Sequence, residues 1–270
     1  MSEKGWNKVE FQSFENILKD KERAWHQGFF IFNNDKNTWK RNYNELKERD
    51  IALFTLGDLK DKAVLDIGCG AAMYVLTFLK MGAKHVAGID IVEELLEDGK
   101  NYIKKQGFEA DLRIADCTAL PHTSNSFDIV FTGDVFEHIT HEQKEACIAE
   151  VFRVLKAGGI FTIKTPNLNY LKWSLFLKRV KAVLKFQNPF KIYIAHTRNN
   201  PDNEHLGLTT YGELRKLLIN NCFHEPTITY LKLERHGIPK WLAKQMQKVS
   251  FFNDTIIITA RKSIFLGLYP

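Results

Sequence analysis

The sequence predicts an α/β protein whose core is a doubly wound, seven-stranded, mostly parallel sheet closed by an antiparallel pair of strands. Two patterns predict it. From residue 62 onward short apolar runs alternate with amphipathic helical stretches at the spacing of strand–helix crossovers. After Pro166 that rhythm breaks, and one further helix is followed by two β-rich runs near the C-terminal end. The predicted architecture has a helical N-terminal cap over residues 1–50, a ligand-binding core over 51–167, a basic amphipathic insert over 168–205 and the end of the core sheet over 206–270.

Each element follows from local pattern. Residues 1–50 are polar and helical in pattern, with aromatics at Phe11, Phe14, Trp25, Phe29, Phe30, Trp39 and Tyr43. Ala63–Ile67, His85–Ile89, Ala110–Ile114 and Phe127–Phe131 read as buried strands, and Ala71–Met81 and Val92–Gln106 as helices between them. Glu142–Leu155 reads as a helix that ends at the turn Gly158-Gly159, followed by strand Ile160–Lys164. A helix over Tyr211–Asn220 starts behind Thr209-Thr210, both good N-caps. Thr227–Leu233 and Thr255–Ala260 supply the closing pair.

Composition narrows the functional classes. The chain has 270 residues, 44% of them hydrophobic and 26% charged, which suits a folded core rather than a disordered segment. No apolar run reaches the length needed to cross a bilayer, and the N-terminal residues lack the layout of a signal peptide, so a cytoplasmic location is expected. The four cysteines (Cys69, Cys117, Cys147, Cys222) form no C-x-x-C pair and are expected to be reduced thiols. The net charge is +6, yet the stretch from Leu168 to Asn200 carries seven basic residues and no acid. The basic character is therefore local, and nucleic-acid binding is not expected.

The chemistry concentrates at Val64–Gly70. A strand that runs into Gly68-Cys69-Gly70 and then a helix makes a glycine loop at a helix N-terminus, where the backbone turns tightly and a ligand comes close. Asp66 lies two residues before the first glycine, where a dinucleotide fingerprint has an apolar residue, and Met73 replaces the third glycine of G-x-G-x-x-G. Asp90 closes the second strand, where a carboxylate can accept both hydroxyls of a ribose.

These stretches, together with Ala115-Asp116-Cys117, Phe127–Ile139 and Arg153–Gly159, resemble the class I S-adenosylmethionine-dependent methyltransferases. The likeness is to the type 11-like branch, with some similarity to the quinone-pathway O-methyltransferases. The resemblance implies a Rossmann-like fold and S-adenosylmethionine as cofactor. It places Asp66, Gly68 and Gly70 at the methionine moiety, Asp90 at the ribose, and Asp116 at the adenine amino group, with the Cys117 amide beside it. Gly133 and Asp134 are implied beside the sulfonium, and Cys69 and Ile91 complete the expected cofactor contacts. Ala72 departs from the family, which often has glycine there.

For methyl transfer the protein has to align the acceptor and exclude water, and a general base matters only when the acceptor is a high-pKa alcohol. His138, after the fourth strand, and His205, in Glu204–Tyr211, are the catalytic candidates; ordering of a loop is the alternative role for His138. No metal is expected. Were one present, the resemblance to an E-x-x-E-H site points to Asp134, Glu137 and His138. The expected partner is a small-molecule acceptor, methylated at a hydroxyl of a sugar, phenol or lipid-linked compound. An amine acceptor, a catalytically silent cofactor-binding scaffold and an NAD-dependent dehydrogenase are the alternatives.

The insert reads as a basic amphipathic helix over Leu171–Phe186, with Leu171, Leu175, Phe176, Val180, Val183 and Leu184 at helical spacing and Trp173, Leu177 and Phe186 broadening the face. Two roles follow from that pattern: a substrate lid packing the apolar face on the domain, or a peripheral membrane or lipid contact.

Overall fold

The computed structural model describes residues 51–194, 205–230 and 253–264. The predicted N-terminal cap and part of the insert lie outside the described residues.

Seven strands form one sheet in the order β3-β2-β1-β4-β5-β7-β6. They are β1 (Ala63–Ile67), β2 (His85–Asp90), β3 (Asp111–Ile114), β4 (Phe127–Gly133), β5 (Leu155–Pro166), β6 (Thr227–Tyr230) and β7 (Thr255–Arg261). The first five pair in parallel, and β7 runs antiparallel to both β5 and β6. The expected closing pair is thus present, with the last strand set inside the sheet. Helices α1 (Ile51–Thr55), α2 (Met73–Lys80), α3 (Glu93–Lys105), α4 (His141–Val154), α5 (Leu168–Leu184) and α6 (Tyr211–Asn220) surround it.

Apolar residues on both faces of the strands explain the two cores. On one face, Leu65, Ile67, Val130, Phe161 and Ile258 pack with Ile148 and Val151 of α4 and Leu214 and Leu217 of α6. On the other, Val64, Ile129 and Phe131 pack with Leu53 of α1, Val75 and Phe78 of α2, and Leu96 and Tyr102 of α3. Burying each such side chain contributes about 1.5–3 kcal/mol, which sets the sheet's register. Hydroxyl caps fix two helix starts. Thr140 and Gln143 form a reciprocal box at α4, and Thr210 and Glu213 do so at α6.

Three boundaries differ from the sequence reading, each for a local reason. Helix α2 begins at Met73 because Ala72 takes a left-handed conformation, φ 63° and ψ 34°. Strand β5 begins at Leu155, directly after α4, because Leu155 pairs with Phe127. Gly158, at φ +72°, and Gly159 then lie within the strand instead of ending the helix. The third difference concerns α5. Its apolar residues do not form one packed face: Ala182 is buried, Leu171 and Leu175 are half-buried, and Trp173, Phe176, Leu177, Val180, Val183 and Leu184 are exposed. A lid lying with its apolar face on the domain is not what the helix builds. No helix among the described residues is long and apolar enough to cross a membrane.

The order places β1 between β2 and β4, so the chain winds outward in both directions from the β1–β4 junction. In sheets of this order the ligand crevice lies at that junction, outside the carboxyl ends of the strands.

Candidate active site

The loop after β1 is folded back onto β2. The amides of Gly68 and Cys69 both donate to the Ile89 carbonyl, at 2.8 and 2.9 Å. Gly68 has φ +71°, and a Cβ there would overlap the Val135 side chain, so backbone freedom and close approach both require glycine. The Gly70 amide donates to Asp90 Oδ2 at 2.8 Å, and the Val92 amide to Asp90 Oδ1 at 2.9 Å.

Asp66 sits beneath this loop, buried, and its Oδ2 is sealed from solvent with no hydrogen-bond donor. Burial, and then the charge of Asp90, hold its carboxyl well above the usual carboxylate range. Burial also raises Asp90, while the amides of Val92, Gly70 and Ile91 pull it back. Two acids thus crowd a low-dielectric corner, and no hydrogen-bond donor among the described residues meets Asp66 Oδ2. Such a corner favours a positively charged or hydrogen-donating guest.

The remaining expected cofactor residues line the same edge. The Ala115 amide bonds the Asp90 carbonyl, which brings Asp116 and Cys117 beside the end of β2. Asp116 Oδ1 accepts from the amide and hydroxyl of Thr118, each at 2.8 Å. Gly133 ends β4 opposite Lys164 of β5. All four cysteines are free thiols; Cys69, Cys117 and Cys147 are buried.

A second polar group stands across the crevice. Lys164 Nζ lies 3.0 Å from Asp134 Oδ2 and 3.1 Å from the Tyr74 hydroxyl. Asp134 itself is held at φ 57°, an uncommon backbone state for a non-glycine residue. Tyr74 and Lys164 went unassigned in the sequence reading. The available signal was a lysine at the carboxyl end of an otherwise apolar strand.

His138 and His205, far apart in sequence, meet here with ring centroids 5.0 Å apart. The contact is built by backbone. The Gly207 amide donates to the Glu137 carbonyl at 2.8 Å, and buried Lys144 of α4 donates to the Gly207 carbonyl. Glu137 is buried, accepts from the Thr165 hydroxyl at 2.9 Å, and is pushed up to about 8 by burial and by the charge of Asp134. One ligand atom from each of Glu137, His138 and His205 lies within 4.8 Å of the others. The grouping that could hold a metal is therefore not the expected Asp134, Glu137 and His138: Asp134 is drawn to Lys164, and His205 takes its place.

Residues 64–159 match the family model described as a methyltransferase domain. Over that stretch, about a third of its length, the chain is similar to methyltransferase domains. The chain is 31% identical over 112 residues to a ubiquinone biosynthesis O-methyltransferase of Coxiella burnetii, a match spanning 42% of this chain and 47% of that relative. The match therefore spans about half of that relative's length. Among solved structures, an S-adenosylmethionine-dependent methyltransferase from Mesorhizobium loti superposes with a TM-score of 0.57 at 16% identity, covering 82% of this chain and all of that one. The 4+2 cyclase SpnF superposes with a TM-score of 0.56 at 17% identity, covering 87% of each chain. The methyltransferase domain's fold therefore also carries a protein named for other chemistry, and function has to be argued from the site.

Proposed function

We propose that the protein transfers a methyl group from S-adenosylmethionine to a hydroxyl of a small-molecule acceptor. The observation that carries this reading is the buried Asp66 Oδ2, which has no donor and is repelled by Asp90 under a glycine loop. The residues fit the cofactor on that ground, because its ammonium and sulfonium supply the positive charge the corner lacks. When bound, S-adenosylmethionine supplies an electrophilic methyl carbon.

The protein's own residues do the rest. Asp66 and the amides of Gly68, Cys69 and Gly70 would hold the methionine end, and Asp90 with Ile91 the ribose. Asp116 and the Cys117 amide would hold the adenine, and Gly133 and Asp134 would border the sulfonium. On the acceptor side, Lys164 and the Tyr74 hydroxyl form a donor pair suited to an acceptor oxygen. His138 and His205 are the groups suited to take a hydroxyl proton near neutral pH. The likeness to the Coxiella relative, an O-methyltransferase, supports a hydroxyl acceptor.

Isothermal titration with S-adenosylmethionine, its demethylated product and NAD tests the cofactor assignment. Binding of the first two but not NAD is expected; binding of NAD alone refutes it. Turnover on a panel of phenols, sugars and amines then tests the acceptor atom, and methylation confined to amines refutes the hydroxyl reading.

One observation favours a variant of this reading. The clustered ligand atoms of Glu137, His138 and His205 suit a divalent ion that would lower the pKa of a bound hydroxyl. In that case exhaustive chelation abolishes turnover and a divalent ion restores it. Activity indifferent to chelation leaves the histidine pair as the proton acceptors.

A further inference from the structure

Helix α5 turns its apolar residues the wrong way for a soluble packing element. At 100° per residue, Trp173, Phe176, Leu177, Val180, Val183 and Leu184 occupy one sector about 120° wide, and all six are exposed. The opposite side carries buried Ala182 with half-buried Leu171 and Leu175. Exposure is large where the side chains are large: 56% for Phe176 and 75% for Leu184. Trp173 and Phe176 stack with ring centroids 5.5 Å apart, making one aromatic platform within the sector.

The residues after the helix extend this surface. Phe186 is fully exposed and Phe190 is 75% exposed. Phe186 takes φ 54° as the residue that ends the helix, its amide bonding the Val183 carbonyl and the Gln187 amide bonding the Ala182 carbonyl. The loop is not trailing away, because both the Nε and a terminal nitrogen of Arg179 donate to the Ile192 carbonyl.

Charge selects the occupant. Arg179 and Lys172 flank the apolar sector on one side and Lys181 flanks it on the other, and Lys185 and Lys191 follow. No acid lies between Leu168 and Asn200. A second copy of this face would bring lysines against lysines. A bilayer with anionic headgroups meets both demands at once, taking apolar side chains below the headgroups while lysine stems reach up to the phosphates.

We propose that α5 and the Phe186–Phe190 loop form an in-plane docking surface for a membrane rich in anionic lipid. Its place matters. The helix starts just past the carboxyl end of β5, and the Leu168 amide donates to the Thr209 carbonyl in the segment that carries His205. The start of the helix thus lies beside the segment that carries His205. The proposal stands apart from methyl transfer and does not need it.

The test is co-sedimentation of the full chain with vesicles of phosphatidylcholine alone and with phosphatidylglycerol added. We expect binding only to the anionic vesicles, weakened at high salt, with a blue shift of tryptophan emission that Trp173→Phe removes. The double variant Phe176→Asp with Leu184→Asp should lose at least about tenfold in vesicle partitioning, and each of Lys172→Glu and Lys181→Glu about fivefold or more. Cofactor titration and thermal melting on the same variants should match the parent, since these side chains are exposed. Three results would overturn the proposal: no binding to anionic vesicles, equal binding by the aspartate double variant, or concentration-dependent self-association that the double variant abolishes without any vesicle binding. Binding to a polyglutamate chain in preference to anionic vesicles would equally overturn it.

Discussion

Asp66 and Phe186 depart from ordinary side-chain placement in opposite senses. The first is a carboxylate taken out of water with one oxygen unmet; the second is an aromatic ring left wholly in it. Each is unfavourable in the isolated chain. A buried acid without a donor costs on the order of 1–3 kcal/mol, and a large exposed ring forgoes a similar stabilisation. Other residues of the same types are placed in the ordinary way: Asp128 is met by the Ala63 amide and Lys156, and Phe78 and Phe131 are fully buried. On the two proposals above, these liabilities mark two different partners. One is small and cationic, enclosed by a glycine loop; the other is extended, apolar and anionic, meeting an open helix face.

Substitutions can break or sharpen that contrast. The largest effect belongs to Asp66→Asn, which should weaken S-adenosylmethionine binding by about 100-fold or more by isothermal titration. In ligand-free protein the same change should raise the melting temperature. The sign follows from burial: the folded-state pKa of Asp66 lies above its ordinary value of 3.8, so its stabilising contribution is present below that value and is lost as pH rises through the folded one. The stability advantage of the asparagine variant should therefore grow as pH rises, and an advantage that shrinks would contradict the assigned cause. Gly68→Ala comes next, with a loss of about 2–4 kcal/mol in denaturant unfolding, because it adds both a left-handed strain and an overlap with Val135. Pairing it with Val135→Ala should restore only the packing part.

Lys164→Met should lower turnover about tenfold while cofactor affinity stays within about threefold, separating the acceptor side from the cofactor side of the crevice. An equal loss in cofactor affinity would place Lys164 on the wrong side. Ala72→Gly should stabilise the fold by about 1 kcal/mol, read as a rise of a few degrees in melting temperature, because Ala72 holds φ 63°. The smallest effect belongs to the exposed helix: Leu184→Gln should change stability by no more than about 0.5 kcal/mol. A large loss there would mean that the face is packed within the chain.

Much of this was legible in the amino-acid order. Buried strands announce themselves as apolar runs, so β1, β2 and β4 and their sequence of helices could be read directly. Gly68-Cys69-Gly70 was legible as a glycine loop after β1, and Thr210 as the cap that starts α6. What escaped reading was decided by contacts distant in sequence. Nothing local says that Leu155 will pair with Phe127, which converts the end of a helix into the start of a strand. Nothing local brings His205 to His138; the Gly207–Glu137 bond and Lys144 do that. Tyr74 and Lys164 meet only because strand register and the left-handed turn at Ala72 aim them at one another. In α5 the difficulty was different. With apolar residues on both sides of the helix, periodicity shows that it is amphipathic but leaves open which side turns inward.

The place of β7 has a consequence for how the molecule is made. Its residues come late in the chain, yet it lies inside the sheet and bonds to both β5 and β6. Until Thr255–Arg261 leave the ribosome, β6 has no neighbour and β5 presents a bare row of amides and carbonyls. The ligand crevice, formed by earlier strands, can take shape while that flank still stands open. A nascent chain stalled before residue 255 would therefore carry a half-built sheet with an adhesive margin, a ready substrate for chaperones and a seed for aggregation.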